Sequence, residues 1–182
     1  MIFYFLDFIL YGVPFLFLFF EQSFKFSKQT IATIFEKLGF KPIEKKELLW
    51  KTGQLLTLLL VVNFLLSFLF SFFGLNDLAK VEQTVAQLKT TAPLVLIYFL
   101  TVRVLGEEIF FRSFLTPKLG WIFSGILFGL AHFGFGSITE VIGALILGGI
   151  LGYTFQKNQN IYPNIIAHIA YNAVLIGILG WV

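Results

Sequence analysis

Apolar side chains occur in long stretches that only short polar segments interrupt. Residues 54–74, for example, contain no charged side chain. Only 13% of the 182 residues are charged and 58% are hydrophobic, whereas about 25% of an average soluble domain is charged. A soluble chain of this size could not cover its surface with so few charges. The sequence therefore predicts a single all-α membrane domain over residues 1–182, a polytopic bundle of transmembrane helices.

Six apolar segments are candidate spans. They cover residues 2–20, 54–74, 93–114, 121–135, 140–156 and 163–181. The fourth and fifth are shorter than the roughly 20 residues that a span needs, so the turn near residues 133–137 is expected in or close to the headgroup layer. Between the first two spans, apolar residues 31–38 are spaced as one face of a short amphipathic helix. This helix is predicted either on the membrane surface or in a soluble linker.

Basic residues are unequally divided between the two sides of this topology. Ten lysines and arginines follow spans one, three and five, and two lie on the other side. By the positive-inside rule, the first loop is cytoplasmic and both termini are outside. The chain is thus predicted to be a multi-pass integral membrane protein, of the cell membrane if the source is prokaryotic. Its lysines suit lipid headgroups, and no nucleic-acid partner is indicated.

The absence of cysteine restricts the chemistry that the chain can perform. With no cysteine in the sequence, disulfides, thiol nucleophiles and cysteine-based metal sites are excluded. Carboxylates, imidazoles and amides inside the apolar segments are therefore the candidate functional groups.

Two adjacent glutamates, Glu107 and Glu108, lie within the third apolar segment. One charge at membrane depth costs about 3 kcal/mol, so this pair needs partners or a hydrated cavity. Arg112 follows Glu108 by four residues, which places the two on one helix face in a favourable order for an ion pair. Glu107 points about 100° away from Glu108 and stays free for another role.

Both histidines of the chain also lie in apolar segments. His132 follows Phe128 by four residues and Asn172 follows His168 by four, so each pair shares a helix face. A lone histidine in a membrane is more often a helix–helix hydrogen bond than a catalyst. Together with Glu107, however, the two imidazoles and the carboxamide could form one polar pocket of the kind that hydrolysis requires.

These motifs, in their order along the chain, resemble one known family. The set comprises Glu107-Glu108-x-x-x-Arg112, Phe128-x-x-x-His132 and His168-x-x-x-Asn172. It is similar to the CPBP family, also called the Abi family, which includes type II CAAX prenyl endopeptidases and bacteriocin-processing or immunity-related membrane proteins. The resemblance covers about residues 94–181, which matches a catalytic core expected at about 93–181.

The resemblance implies an intramembrane endopeptidase that cleaves a hydrophobic or lipidated, CAAX-like peptide near the cytoplasmic face. Glu107 would activate water with help from His132, while His168 and Asn172 stabilise the oxyanion and the neighbouring ion pair supports the site. This glutamate-type mechanism needs no cofactor. A rival mechanism binds zinc through Glu107, His132 and His168 and leaves an open position for water.

Two other functions stay open at this stage. The chain could be a non-catalytic binding, immunity or regulatory protein of the same family, or a proton-coupled transporter that uses membrane glutamates and histidines as a relay. The oligomeric state is not indicated.

Other polar residues and several glycines are given structural roles. Arg103, one turn before Glu107, is expected to be a structural residue or to line a cavity, Asp7 to lie near the outer interface, and Tyr98 to anchor a helix at an interface. Gly129 and Gly148 are expected to allow close helix packing.

Overall fold

The computed structural model describes residues 6–21, 28–75 and 77–179, and these residues form helices and turns without a β-strand. The all-α prediction is therefore confirmed. The helices, in chain order, are α1 (Phe8–Glu21), α2 (Lys28–Lys37), α3 (Lys45–Phe72), α4 (Ala79–Thr91), α5 (residues 93–115), α6 (Thr116–Ala131), α7 (Ile138–Asn158) and α8 (Tyr162–Leu179).

Two of the described helices are long and apolar enough to cross a membrane, namely α3 and α7. Helix α1 is apolar but shorter. The six predicted spans are thus confirmed only in part. Helix α3 has the character of a lipid-facing element, since Phe64, Phe68 and Phe72 along it are all exposed.

Helix α5 is interrupted by wider turns on both sides of the acidic pair. Phe99–Arg103 and Glu108–Leu115 are π-helical, and the short α-helical stretch Val104–Glu107 lies between them. Such π-turns occur frequently at functional sites, because they shift the side chains that follow around the helix axis. The predicted third segment, 93–114, agrees closely with this helix.

Helices α6 and α7 form a tight hairpin. Gly120 at φ 82° breaks the helical geometry near the start of α6, and the 3₁₀ turn His132–Phe135 ends it. Ser137 then caps α7 by accepting a hydrogen bond from the Glu140 backbone at 3.0 Å. The turn predicted near residues 133–137 is therefore confirmed.

Glycines allow these two helices to approach each other closely, as predicted. A Cβ atom added to Gly129 would lie 2.6 Å from Cβ of Leu145, and one added to Gly125 would lie 2.7 Å from the backbone nitrogen of Gly149. At Gly148, an added Cβ would lie 2.6 Å from the Phe128 ring.

Helix α2 confirms the predicted amphipathic helix and shows what its apolar face contacts. Ile34 and Leu38 are buried against Leu18 of α1, Phe155 of α7 and Ile161. This face therefore packs on protein, and it is not the face available to lipid.

The turn after α2 is fixed to the connection between α7 and α8. Gly39 has φ +83°, and a Cβ there would come within 2.9 Å of the Phe155 ring. Its carbonyl accepts a hydrogen bond from Ile161 N at 3.0 Å, and Asn160 Nδ2 donates to the Lys41 carbonyl at 2.9 Å. The cytoplasmic-side loops of the predicted topology thus contact one another.

Candidate active site

The Glu108–Arg112 ion pair forms as the spacing predicts. Nε of Arg112 lies 3.3 Å from Oε1 of Glu108, and both side chains are fully buried. Among the described residues, the three guanidinium nitrogens and Oε2 of Glu108 have no hydrogen-bond partner. The pair is therefore held by charge attraction in a low-dielectric interior, where removal of one partner would leave a costly unpaired charge.

Phe128 connects this ion pair to both histidines. The guanidinium carbon of Arg112 lies 4.1 Å from the centre of the Phe128 ring, a cation–π contact. The imidazole centres of His132 and His168 lie 4.6 Å and 5.9 Å from the same ring. The structure thus brings Glu108 and Arg112 of the first predicted motif, Phe128 and His132 of the second, and His168 of the third into one cluster.

His132 lies just after the end of α6 and is partly exposed. Its Nδ1 atom is 2.8 Å from the carbonyl oxygen of Phe128. A carbonyl can only accept a hydrogen bond, so Nδ1 must donate. In the neutral ring, Nε2 is then left with its lone pair, which suits an acceptor for a water molecule.

His168 contacts the second glutamate of the tandem pair. Its Nδ1 atom lies 2.8 Å from Oε1 of Glu108. Asn164, one turn before His168 on α8, is fully buried beside the same carboxyl group and donates to the Leu151 carbonyl at 2.8 Å. An ionised carboxylate accepts from Nδ1, so His168 could donate from Nε2 as well only in its doubly protonated form.

Glu107 is directed to a different partner. Its Oε1 atom accepts a hydrogen bond from Nε of Arg103 at 3.3 Å, and its side chain keeps 15% of its surface exposed. It also interacts electrostatically with Arg112. The two adjacent glutamates therefore have distinct surroundings, as the 100° separation on a helix suggests.

Asn172 differs from the other predicted site residues because its side chain has no hydrogen-bond or ion-pair partner among the described residues. This side chain is half-buried one turn after His168. It thus keeps both amide hydrogens and its carbonyl oxygen for another group.

Several polar contacts near the site were not predicted. Asp7 is paired with Arg103 at 3.0 Å and accepts a hydrogen bond from Tyr98, so Tyr98 is more than an interface anchor. Glu140 at the start of α7 interacts electrostatically with His132. The sequence did show that these polar side chains lie within or beside apolar segments. A polar side chain in such a place needs a partner, but the sequence does not say which residue that partner is.

Glu107, His132 and His168 are the zinc ligands of the rival mechanism. Among the described residues, no group of three histidine, aspartate or glutamate side chains is close enough to hold a metal ion. Nδ1 of each imidazole contacts a protein acceptor, which leaves Nε2 as the nitrogen that could bind water, substrate or a metal.

Comparison with known proteins places this geometry in a family. Residues 89–174 match the family model described as type II CAAX prenyl endopeptidase Rce1-like. This part of the chain is similar to the Rce1-like family. The match is consistent with the CPBP resemblance and covers just under half of the chain. No curated protein and no solved structure gives a significant match.

The Rce1-like segment contains each of the six predicted site residues, from Glu107 to Asn172. It begins in α4 and ends within α8. Rce1-like proteins are membrane-embedded proteases, so the segment supports a peptidase. Asp7, which directly precedes α1, and α1 itself lie outside the segment, although Asp7 contacts it at Tyr98 and Arg103.

Proposed function

We propose that this protein is an intramembrane endopeptidase that hydrolyses a peptide bond in a hydrophobic or lipidated, CAAX-like substrate. The observation that carries the proposal is the match of residues 89–174 to a family of prenyl endopeptidases, with every predicted site residue inside the matched segment. The contacts around Phe128 give further support, because they bring both imidazoles to one ring.

In this mechanism, Glu107 removes one proton from water, while Nε2 of His132 accepts a hydrogen bond from the hydrogen that remains on the oxygen and so holds the nucleophile in place. The hydroxide attacks the peptide carbonyl, and the amine leaves with a proton from Glu107. The Asn172 amide and Nε2 of protonated His168 donate to the oxyanion. Such donors in a water-poor site typically contribute about 3–4 kcal/mol to the lowering of the barrier.

Glu108 and Arg112 support this chemistry without contacting the substrate. The Glu108 carboxylate accepts a hydrogen bond from Nδ1 of His168 and so fixes the orientation of the ring. It also stabilises the positive charge that His168 carries as an oxyanion donor. Two adjacent glutamates therefore serve two purposes, one as the base and one as the support for an imidazole.

The test is cleavage in lipid of three peptides: one prenylated at a C-terminal CAAX sequence, its unprenylated form, and a hydrophobic helical peptide. We expect Glu107→Gln and His132→Ala to abolish cleavage while expression and insertion persist. Glu47→Gln is the matched control, since Glu47 is exposed on α3 and, among the described residues, forms its ion pair with Lys51. Cleavage that survives either site substitution would overturn the assignment.

The metal-free mechanism is part of the proposal and has its own experiment. We expect cleavage to continue after treatment with a chelator and the purified active protein to contain no stoichiometric zinc. Loss of activity on chelation, restored by added zinc, would support the rival mechanism through Glu107, His132 and His168.

We also propose that the chain crosses the membrane several times, with the first loop inside and both termini outside. Contacts between loops on the same predicted side support this topology: Lys41 with Asn160 on one side, and Asp77 with Ser137 on the other.

Because the chain has no cysteine, single introduced cysteines can report on which side of the membrane a loop lies. An impermeant maleimide applied to intact cells should label Gln83→Cys and should label Glu44→Cys only after permeabilisation; the reverse pattern would invert the topology.

A further inference from the structure

A chain of polar contacts joins Asp7, the residue before α1, to the proposed catalytic glutamate on α5. Tyr98 donates to Oδ2 of Asp7, Nη1 of Arg103 lies 3.0 Å from Oδ1 of Asp7, and Nε of Arg103 donates to Oε1 of Glu107 at 3.3 Å. The side chains of Asp7, Arg103 and Glu107 are only 15–18% exposed. Because these charges are largely shielded from water, their mutual attraction exceeds that of a surface pair.

Helix α1 contacts α5 at two further points close to Glu107. The Tyr11 hydroxyl donates to the carbonyl of Val102, which belongs to the first π-turn of α5. A Cβ at Gly106 would lie 2.8 Å from the Tyr11 ring, so the residue before Glu107 packs directly against α1. The backbone that carries Glu107 is therefore held by α1 as well as by its own helix.

The geometry also explains why Glu107 needs a dedicated partner. Arg112 interacts electrostatically with Glu107 but is ion-paired with Glu108. Without Arg103, the Glu107 carboxylate would be attracted toward the buried guanidinium of Arg112. Arg103 engages one oxygen of Glu107 and leaves the other oxygen for water.

We propose that Arg103, held by Asp7, is a positioning residue for Glu107, and that α1 therefore completes the active site from outside the Rce1-like segment. The proposal rests on the proposed function, in which Glu107 is the base. Arg103 contacts neither water nor substrate in this scheme. It acts only by the orientation that it imposes on the carboxylate.

The first experiment compares kcat and KM for Arg103→Gln, Arg103→Lys and Asp7→Asn. A misplacement of about 1 Å can cost about 100-fold in rate, so we expect Arg103→Gln to lower kcat by about 10- to 100-fold with KM within about twofold of wild type. Arg103→Lys should recover part of the loss because it restores a cation. Lys157→Gln is the control, since Lys157 is exposed and contacts the Tyr153 ring outside this network.

A double substitution tests whether Asp7 acts through Arg103. Asp7→Asn alone should lower kcat by a smaller factor than Arg103→Gln, and adding it to Arg103→Gln should cause no further loss. The proposal would be overturned if the two changes had multiplicative effects on kcat, if Arg103→Gln left kcat unaltered, or if only KM changed.

A second measurement separates this proposal from the proposed function. A hydrophobic carbodiimide labels accessible carboxyl groups, and peptide mass spectrometry quantifies the labelling of Glu107 without any substrate. We expect Arg103→Gln to increase the labelling of Glu107 at least about threefold, because the carboxyl group loses the guanidinium that covers it. If the wild type cleaves no peptide, the proposed function fails while this measurement still decides the role of Arg103; unchanged labelling would reject that role.

Discussion

Oε1 of Glu108 lies 2.8 Å from Nδ1 of His168, although 60 residues separate them along the chain. The contact joins α5 to α8 inside the protein, and the carboxyl group is fully buried. The same oxygen faces Nε of Arg112 at 3.3 Å. One carboxylate thus balances a guanidinium and orients an imidazole, so its removal should affect both stability and activity.

Glu108→Gln should destabilise the protein strongly. The substitution keeps the size of the side chain but leaves Arg112 as a buried charge without its counter-charge. Breaking a buried pair in this way typically costs 3–5 kcal/mol, so we expect a loss of about that size in the free energy of unfolding in detergent. Glu47→Gln breaks the exposed pair with Lys51 and should change stability by less than about 1 kcal/mol. Equal effects of the two substitutions would contradict the buried arrangement.

Phe128→Leu should reduce activity more than its loss of volume would suggest. The ring contacts Arg112 by a cation–π interaction and lies against both His132 and His168. Leucine keeps the site apolar but removes the flat surface that positions these groups. We expect kcat to fall at least about 10-fold, and stability to fall by about 2 kcal/mol from the lost desolvated cation–π contact.

The control for this change is Phe123→Leu on the same helix. Phe123 is 64% exposed, so its substitution should leave kcat near that of wild type. A similar fall in kcat for both variants would show that the effect is general to α6.

Two contacts within one helix were predicted from the sequence, whereas the Arg103–Glu107 pair, which has the same spacing, was missed, and contacts between helices could not be predicted. The Glu108–Arg112 and Phe128–His132 neighbours follow from four-residue spacing, because the helix period is local and regular. The turn between α6 and α7 was also predictable from the shortness of the two apolar segments. Each of these inferences needs only the residues on either side.

The pairing of Glu108 with His168 required knowledge of which helix faces meet. The same is true of Asp7 with Arg103, and of Asn63 with the Tyr171 hydroxyl at 2.9 Å. Apolar segments of similar composition can pack on one another in many arrangements, and spacing does not distinguish them. The π-turns in α5 add to this difficulty, since they rotate the side chains that follow relative to a regular helix.

Gly129→Ala should destabilise the α6–α7 hairpin. An added Cβ would lie 2.6 Å from Cβ of Leu145 and 2.8 Å from its Cα, and backbone atoms cannot move aside without shifting the helix. Overpacking of this kind typically costs about 1–3 kcal/mol in the free energy of unfolding. At Gly143 an added Cβ meets no atom within 4 Å, so Gly143→Ala should be neutral or slightly stabilising. Thermal unfolding of both variants in detergent measures the contrast, and equal unfolding temperatures would contradict the close approach.

Asp77 should make stability depend on pH through its bonds to the start of α7. Its carboxylate accepts hydrogen bonds from the Thr139 hydroxyl, from Ser137 Oγ at 2.7 Å, and from the backbone nitrogens of Ile138 and Thr139 at 2.5 and 3.2 Å. The hydroxyl of Thr139 first, and then that of Ser137, lower the pKa of Asp77 below its usual range. The ionised form is therefore favoured in the folded protein over the unfolded chain.

Because the pKa of Asp77 is lower in the folded state, its carboxylate stabilises the protein fully at pH values above the unfolded pKa of about 4. This stabilisation is lost as the pH falls below that value. Asp77→Asn should therefore unfold at a lower temperature than wild type at pH 7, with the same difference at pH 5. Below about pH 4 the two curves should approach each other progressively, because the unfolded chain then takes up a proton that the folded carboxylate does not. Glu82→Gln, on the exposed surface of α4, should follow wild type throughout. A difference for Asp77→Asn that widens as the pH falls would show that these hydrogen bonds do not stabilise the charged form.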